Sequence, residues 1–152
     1  MENSNVPHVN QSQRAPEKIA HIGIAVKSIE ESLPFYQQQL GLELEGIETV
    51  ESEQVRVAFL RIGETRFELL ESTSETGPIA VFIQKKGPGI HHIALEVDNI
   101  QARLEQLKAN GVQLIHEQPK MGAHDAQIAF LHPKAAGGVL LELCQYPKEH
   151  KS

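Results

Sequence analysis

The chain has 152 residues, enough for one domain or for two small halves around a shared core. It is 40% hydrophobic and 22% charged, with a formal net charge of −6 from 14 basic and 20 acidic residues, a balance that argues against nucleic acid as the partner. One cysteine, Cys144, excludes an intrachain disulfide framework and suits a reducing compartment, and no membrane-length apolar run or signal-like leader is present, so a cytoplasmic protein with no membrane association is expected.

Residues 1–17 are polar and read as a disordered N-terminal tail. Ile22, Ile24 and Val26, preceded by Ile19, alternate with His21, Gly23 and Ala25, which predicts a strand whose second face is small except for one histidine. Ser28 and Glu31 have the spacing of a capping box, and Ile29, Leu33, Tyr36 and Leu40 recur at helical spacing up to Gly41, with Pro34 in an early turn. Leu42 and Leu44 open a strand. Val55, Val57 and Phe59 belong to another, with Arg56 and Ala58 on its opposite face. A turn at Gly63-Glu64 leads to a strand over 66–71, so the first module reads β-α-β-β-β over about 18–72.

The connector, 73–89, carries a short helix marked by Ile79, Phe82 and Ile83 and closes on the breaker Lys85-Lys86-Gly87-Pro88-Gly89. The second module, about 90–146, repeats the order. A strand over 90–97 is followed by a helix capped at Asn99, carrying Ile100, Leu104 and Leu107, and stopped at Asn110-Gly111. Strands over 112–115, 127–131 and 139–144 complete it, and 147–152 form a C-terminal tail. His92 follows His21 by 71 positions, and Ala129-Phe130-Leu131 follows Ala58-Phe59-Leu60 by the same number. This duplication predicts an α+β fold: two tandem βαβββ modules forming a curved mixed sheet around a central metal cleft.

The chemistry lies in the duplicated positions. His21 and His92 fall on first strands, Glu68 and Glu142 on fourth strands, and each interrupts an apolar stretch. Singly, a strand histidine is most often a hydrogen-bonded core residue, and a glutamate between leucines is most often the solvent face of an edge strand. Together they form an N/O donor set for a divalent ion such as Co2+, Mn2+, Ni2+, Zn2+ or Mg2+, with positions left for water or a chelating substrate. Burying two carboxylates with no cation would be very costly, which favours the metal site. Alternation puts His91 and His92 on opposite faces, and the duplication selects His92. His8, His116, His124, His132 and His150 have no duplicate partners and are expected mostly in solvent. Neither a phosphate-binding G-x-x-x-x-G-K-[ST] loop nor a G-x-S-x-G nucleophile turn occurs.

Over 18–146 the chain resembles the vicinal oxygen chelate (glyoxalase/bleomycin resistance/dioxygenase) superfamily, and within it the methylmalonyl-CoA epimerase family. The segments that carry the likeness are His21-Ile-Gly-Ile-Ala-Val26, Glu68-Leu-Leu-Glu71, Gly89-Ile-His-His-Ile-Ala94, Pro119-Lys-Met-Gly-Ala-His124, Phe130-Leu-His-Pro-Lys134 and Gly138-Val-Leu140. The resemblance implies His21, Glu68, His92 and Glu142 as metal ligands, with Co2+ as the first expectation, and a homodimer acting on a CoA thioester. It also implies interconversion of (2R)- and (2S)-methylmalonyl-CoA by proton transfer at C2 through a metal-stabilised enolate. Glu142 is the first choice for one base. Some relatives carry a glutamate on the third strand, at a position matched here to Ala58, which cannot transfer a proton; Glu53 is the substitute, with Glu96 or a metal-bound water as alternatives. The competing readings are a glyoxalase I-like lactoylglutathione lyase using the same four ligands and a non-catalytic small-molecule binder.

Overall fold

Lys18–Ala25 forms β1, starting where the apolar alternation starts, and it becomes an inner strand of one eight-stranded mixed sheet. The computed structural model describes residues 14–148, so most of both expected tails lies outside the described residues. After β1 come α1 (Ile29–Leu33), β2 (Glu43–Val50), β3 (Val55–Ile62), β4 (Thr65–Ser72) and α2 (Pro78–Lys86). The second half supplies β5 (Gly89–Glu96), α3 (Ile100–Ala109), β6 (Lys120–Met121), β7 (Gln127–Phe130) and β8 (Leu141–Gln145).

Strand order is β2-β3-β4-β1-β5-β8-β7-β6, which reads outward from the centre as the same half twice. The first strand of each half runs parallel to its fourth, β1 with β4 and β5 with β8, and the halves join through the antiparallel β1–β5 pair. Register repeats the duplication residue by residue. Gly23 lies opposite Glu68 and Ala94 opposite Glu142, so each glutamate faces the residue two places after its module's histidine. Across the seam, His21 lies opposite Ala94 and Gly23 opposite His92.

Strand alternation separates two faces. On one face α1 covers Ala58, Leu60 and Leu69 through Ile29, and α3 covers Ala129 and Leu143 through Ile100 and Leu104. Ile29, Ile100 and Leu104 are fully buried, each stabilising the fold by about 1.5–3 kcal/mol relative to exposure. With both long-axis helices on that face, the other face curls into a cleft, and α2 closes its first-module end by packing Ile79 against Val55, Val57 and Leu70.

Three local expectations change. The single helix expected from Ser28 to Gly41 is α-helical only over Ile29–Leu33; wide turns follow over Pro34–Gln39, where Leu40 N–H reaches Phe35 O at 2.9 Å. Pro34 has no N–H to continue the tighter ladder. The strand expected over 112–115 shrinks to one bridge between Leu114 and Leu131. There the Phe130 carbonyl accepts from both Ile115 and His116 N–H, at 3.0 and 3.2 Å, which breaks the regular alternation, and the two-residue β6 provides the sheet edge instead. His91 and His92 were expected on opposite faces, but the register shifts between Gly23–His92 and Ile24–Ile90, leaving His91 as an extra residue in a bulge. A bulge re-aims side chains, and both rings border the cleft.

Candidate metal centre

The two innermost strands bring His21 and His92 together across the seam, with Nε2 atoms 3.0 Å apart. Glu142 enters from β8, its Oε1 3.2 Å from His21 Nε2 and 3.6 Å from His92 Nε2. These three residues form a compact donor cluster able to hold a metal ion. Glu68 reaches the same group from β4, its Oε2 3.0 Å from the other nitrogen of His21, Nδ1. All four expected residues thus meet in one place: three donors converge, and Glu68 abuts them through His21. All four are buried, between 4% and 6% exposed.

Burial and the neighbouring charges set the electrostatics of this cluster. Burial alone would lower the His21 pKa, but the facing carboxylates of Glu68 and Glu142 outweigh it and hold the imidazole above its ordinary value. His92 is held well below its ordinary value, first by burial and then by the neighbouring His21 and His91. Burial pushes Glu68 upward, against the pull of His21 and Arg66. Two imidazole nitrogens at 3.0 Å can share at most one proton, and buried His21 Nδ1 and Glu142 Oε1 have no hydrogen-bond partner of good geometry among the described residues.

Supporting contacts orient the rings. His91 and His92 approach through their Nδ1 atoms at 2.9 Å, which leaves His92 Nε2 directed at the cluster, and Phe130 meets the His92 ring edge-on at 5.2 Å. The surrounding cleft has about 740 Å3 of empty space, part of it open to solvent, and apolar walls that include Val57, Leu70, Ile79 and Ile128.

Glu53, in the short turn Glu51–Glu53 before β3, lines this cleft and pairs with Lys120 at 2.9 Å. Ala58 does not line it. It is fully buried under α1 with Ile29 and Leu69, while Val55 and Val57 are the β3 residues that line the cleft. Glu96 is buried further along β5 and lines a separate pocket rather than this cleft, with Lys18 Nζ at 4.0 Å.

Sequence reasoning missed three residues here. His124 was assigned to solvent, yet its ring stacks on Phe59 at 4.1 Å and the residue holds a left-handed backbone, φ 58°, at the cleft wall. His116 accepts from the Phe130 N–H at 3.0 Å rather than facing water alone. Arg66 lies two residues before Glu68 in the same wall and donates to Tyr146 Oη at 2.7 Å. Only Arg66 carried a usable signal, since alternation puts it on the face of Glu68.

The family profile described as Glyoxalase/Bleomycin resistance protein/Dioxygenase superfamily matches residues 20–130. The mitochondrial methylmalonyl-CoA epimerase of Homo sapiens is 41% identical over 129 residues, spanning 84% of this chain and 73% of that protein. Among solved structures, a hypothetical protein from Bacillus halodurans C-125 matches at 54% identity with a TM-score of 0.85, covering 86% of this chain and 95% of that one. A Streptomyces coelicolor methylmalonyl-CoA epimerase variant in complex with 2-nitronate-propionyl-CoA matches at 33% identity with a TM-score of 0.84, covering 88% and 97%.

Proposed function

The chain belongs to the methylmalonyl-CoA epimerase family of the glyoxalase/bleomycin resistance protein/dioxygenase superfamily, and from that premise we propose that it interconverts (2R)- and (2S)-methylmalonyl-CoA by moving the proton on C2. The observation that carries the reading is the convergence of His21, His92 and Glu142, with Glu68 beside them, at the floor of a largely apolar cleft.

A divalent cation fits these residues: two imidazole nitrogens face each other with little room for protons, and a buried carboxylate oxygen beside them lacks a partner. His21, His92, Glu68 and Glu142 would hold it. Co2+ is our first assignment, with Mn2+, Ni2+, Zn2+ and Mg2+ compatible with the same donors. When bound, it supplies a Lewis acid where negative charge builds on the thioester oxygen.

The chain's own residues then have to move one proton off C2 and deliver another to the opposite side. That proton lies between a thioester and a carboxylate, which makes it unusually acidic for a carbon acid. Glu142 on β8 and Glu53 before β3 come from different modules and line the same cleft, the disposition needed for one base on each side of the planar carbon. Lys120 Nζ stands 2.9 Å from Glu53 Oε1 and holds that carboxylate in place. Val57, Leu70 and Ile128 keep bulk water from competing for the proton.

The partner is a CoA thioester. We also assign a homodimer, for which Phe35, Leu40 and Ile90, exposed at 54%, 51% and 63%, offer apolar surface. A cytoplasmic location suits the reduced, buried Cys144, and no helix among the described residues is long and apolar enough to cross a membrane.

The test is deuterium wash-in at C2 of methylmalonyl-CoA in heavy water, followed by NMR, with metal-loaded wild type and Glu142→Gln side by side. Fast exchange with wild type, lost in the variant and on chelation, is the expected result. A folded, metal-loaded protein that exchanges nothing, but isomerises the glutathione hemithioacetal of methylglyoxal, would overturn the reading in favour of a lyase.

A further inference from the structure

His91 takes no part in the chemistry assigned above, yet the sheet breaks its own pairing to admit it. Gly23 pairs with His92 and Ile24 with Ile90, so His91 is the residue that the neighbouring strand skips. In a regular strand its side chain would face away from that of His92; in the bulge both rings border the cleft, with their Nδ1 atoms 2.9 Å apart. Among the described residues this is the one hydrogen-bond partner of His92 Nδ1. The other ring nitrogen, Nε2, stands 3.0 Å from His21 Nε2 and 3.6 Å from Glu142 Oε1. Packing confines the ring as well: Phe130 meets it edge-on at 5.2 Å, and the missing side chain of Gly23 leaves the space it fills. Those neighbours fix where the ring sits, but neither can tell one ring nitrogen from the other.

Resting on the metal-centre reading, we propose that His91 is the positioning residue that selects the tautomer of His92, its Nδ1 accepting the single N–H of that ring so that Nε2 keeps a lone pair for the ion. A neutral imidazole has one donor and one acceptor nitrogen, and it binds a cation only through the nitrogen that carries no hydrogen. Two Nδ1 atoms at 2.9 Å can hold one hydrogen between them, so the role of His91 decides that of His92. If His91 donated, the His92 hydrogen would sit on Nε2 and point into the cluster, closing one of its three converging donors. Metal-binding imidazoles are commonly set in this way by a carboxylate or a carbonyl; here a second imidazole takes that place. His91 is itself steadied, half-buried and edge-on to Phe82 of α2 at 5.0 Å. Packing on Phe82 and accepting from His92 make opposite demands on a substitute, which separates the two roles.

The experiment compares full-length wild type with His91→Asn and His91→Phe. Asparagine places an acceptor oxygen close to where Nδ1 stands but has no ring, whereas phenylalanine keeps a ring against Phe82 and accepts nothing. Ring-nitrogen NMR of the metal-free protein reads the His92 tautomer, and competition for Zn2+ against a chelator reads affinity. Wild type should carry the His92 hydrogen on Nδ1. His91→Phe should lose that signature and bind Zn2+ roughly 10–100-fold more weakly, while His91→Asn should recover most of both. The reverse order, with phenylalanine neutral and asparagine defective, would overturn the proposal in favour of packing against Phe82. Equal affinity in all three proteins, or a wild-type ring with its hydrogen on Nε2, would overturn it too. Melting temperatures identify a variant that fails to fold, and the wild-type spectrum decides the tautomer without either. If wild type takes up no ion, the metal-centre reading falls while the ring spectra still judge His91.

Discussion

A methyl group added at Gly23 would sit 2.4 Å from Cε1 of His92. The two residues lie directly opposite each other across the seam, so the absent side chain on β1 is the space occupied by the imidazole from β5. Gly23→Ala therefore displaces the His92 ring, and its ordinary backbone angles mean the effect is one of space alone. We expect roughly 10–100-fold weaker metal binding, measured by competition against a chelator, with the metal-free protein still folded. Unchanged affinity would show that the ring reaches the same position by another route.

Metal should stabilise the fold in proportion to its occupancy. At free ion about 100 times the dissociation constant the gain is about 2.7 kcal/mol, visible as a higher melting temperature. His21→Ala, His92→Ala and Glu142→Ala should each abolish the gain, because His21, His92 and Glu142 form the converging donor cluster. A full gain in any of them would remove that residue from the ligand set.

The metal-free protein should lose stability as the pH falls from 6.5. His91, His92, His116 and His124 are all held below the ordinary value of 6.5, each first by burial. Unfolded imidazoles take up protons near 6.5 that these folded ones refuse, so the unfolded state binds more protons and gains on the native state. His21, raised by its carboxylates, acts oppositely: its contribution is fully present below 6.5 and is lost as pH rises through its folded value. Glu68, raised by burial, also favours the folded form as pH falls. Since His92 is the most strongly lowered, His92→Asn should flatten the decline between pH 6.5 and 5.5 in denaturation curves. An identical slope in the variant would assign the decline to other groups.

Glu53→Gln should separate the two directions of proton transfer. With Glu142 intact, wash-in starting from one epimer should persist while that from the other falls by about 10²–10⁴-fold. Equal rates from both epimers would exclude Glu53 as a base.

Core packing should be separable from chemistry. Leu104→Ala empties a fully buried position between α3 and the sheet and should cost about 2–5 kcal/mol in urea denaturation, without changing metal affinity in the folded protein. A matching loss of affinity would tie the outer face to the site.

The duplication was readable because a sheet amplifies it. Strand alternation and the 71-residue spacing of His21 and His92 put both histidines on one face, and the register extends the same logic to Glu68 and Glu142. What alternation cannot encode is its own interruption. The bulge at His91, the doubled acceptor at Phe130 and the wide turns after Pro34 each arise from one backbone group whose partner is chosen by tertiary packing. Which face of β3 meets the cleft is likewise settled by packing: Ala58 lies under α1, and Val55 and Val57 line the cleft. His124 was hidden for another reason: its left-handed turn brings a loop residue onto Phe59, and no periodicity marks a loop.

The antiparallel β1–β5 seam would make a bound ion a gauge of alignment between the two modules. Each contributes one imidazole, and neither half alone can assemble the pair. A slip of a single residue along this seam would turn one histidine away from its counterpart and dismantle the centre while leaving both half-sheets intact. Occupancy by an ion would therefore penalise misregistered chains and so proofread how the halves are joined.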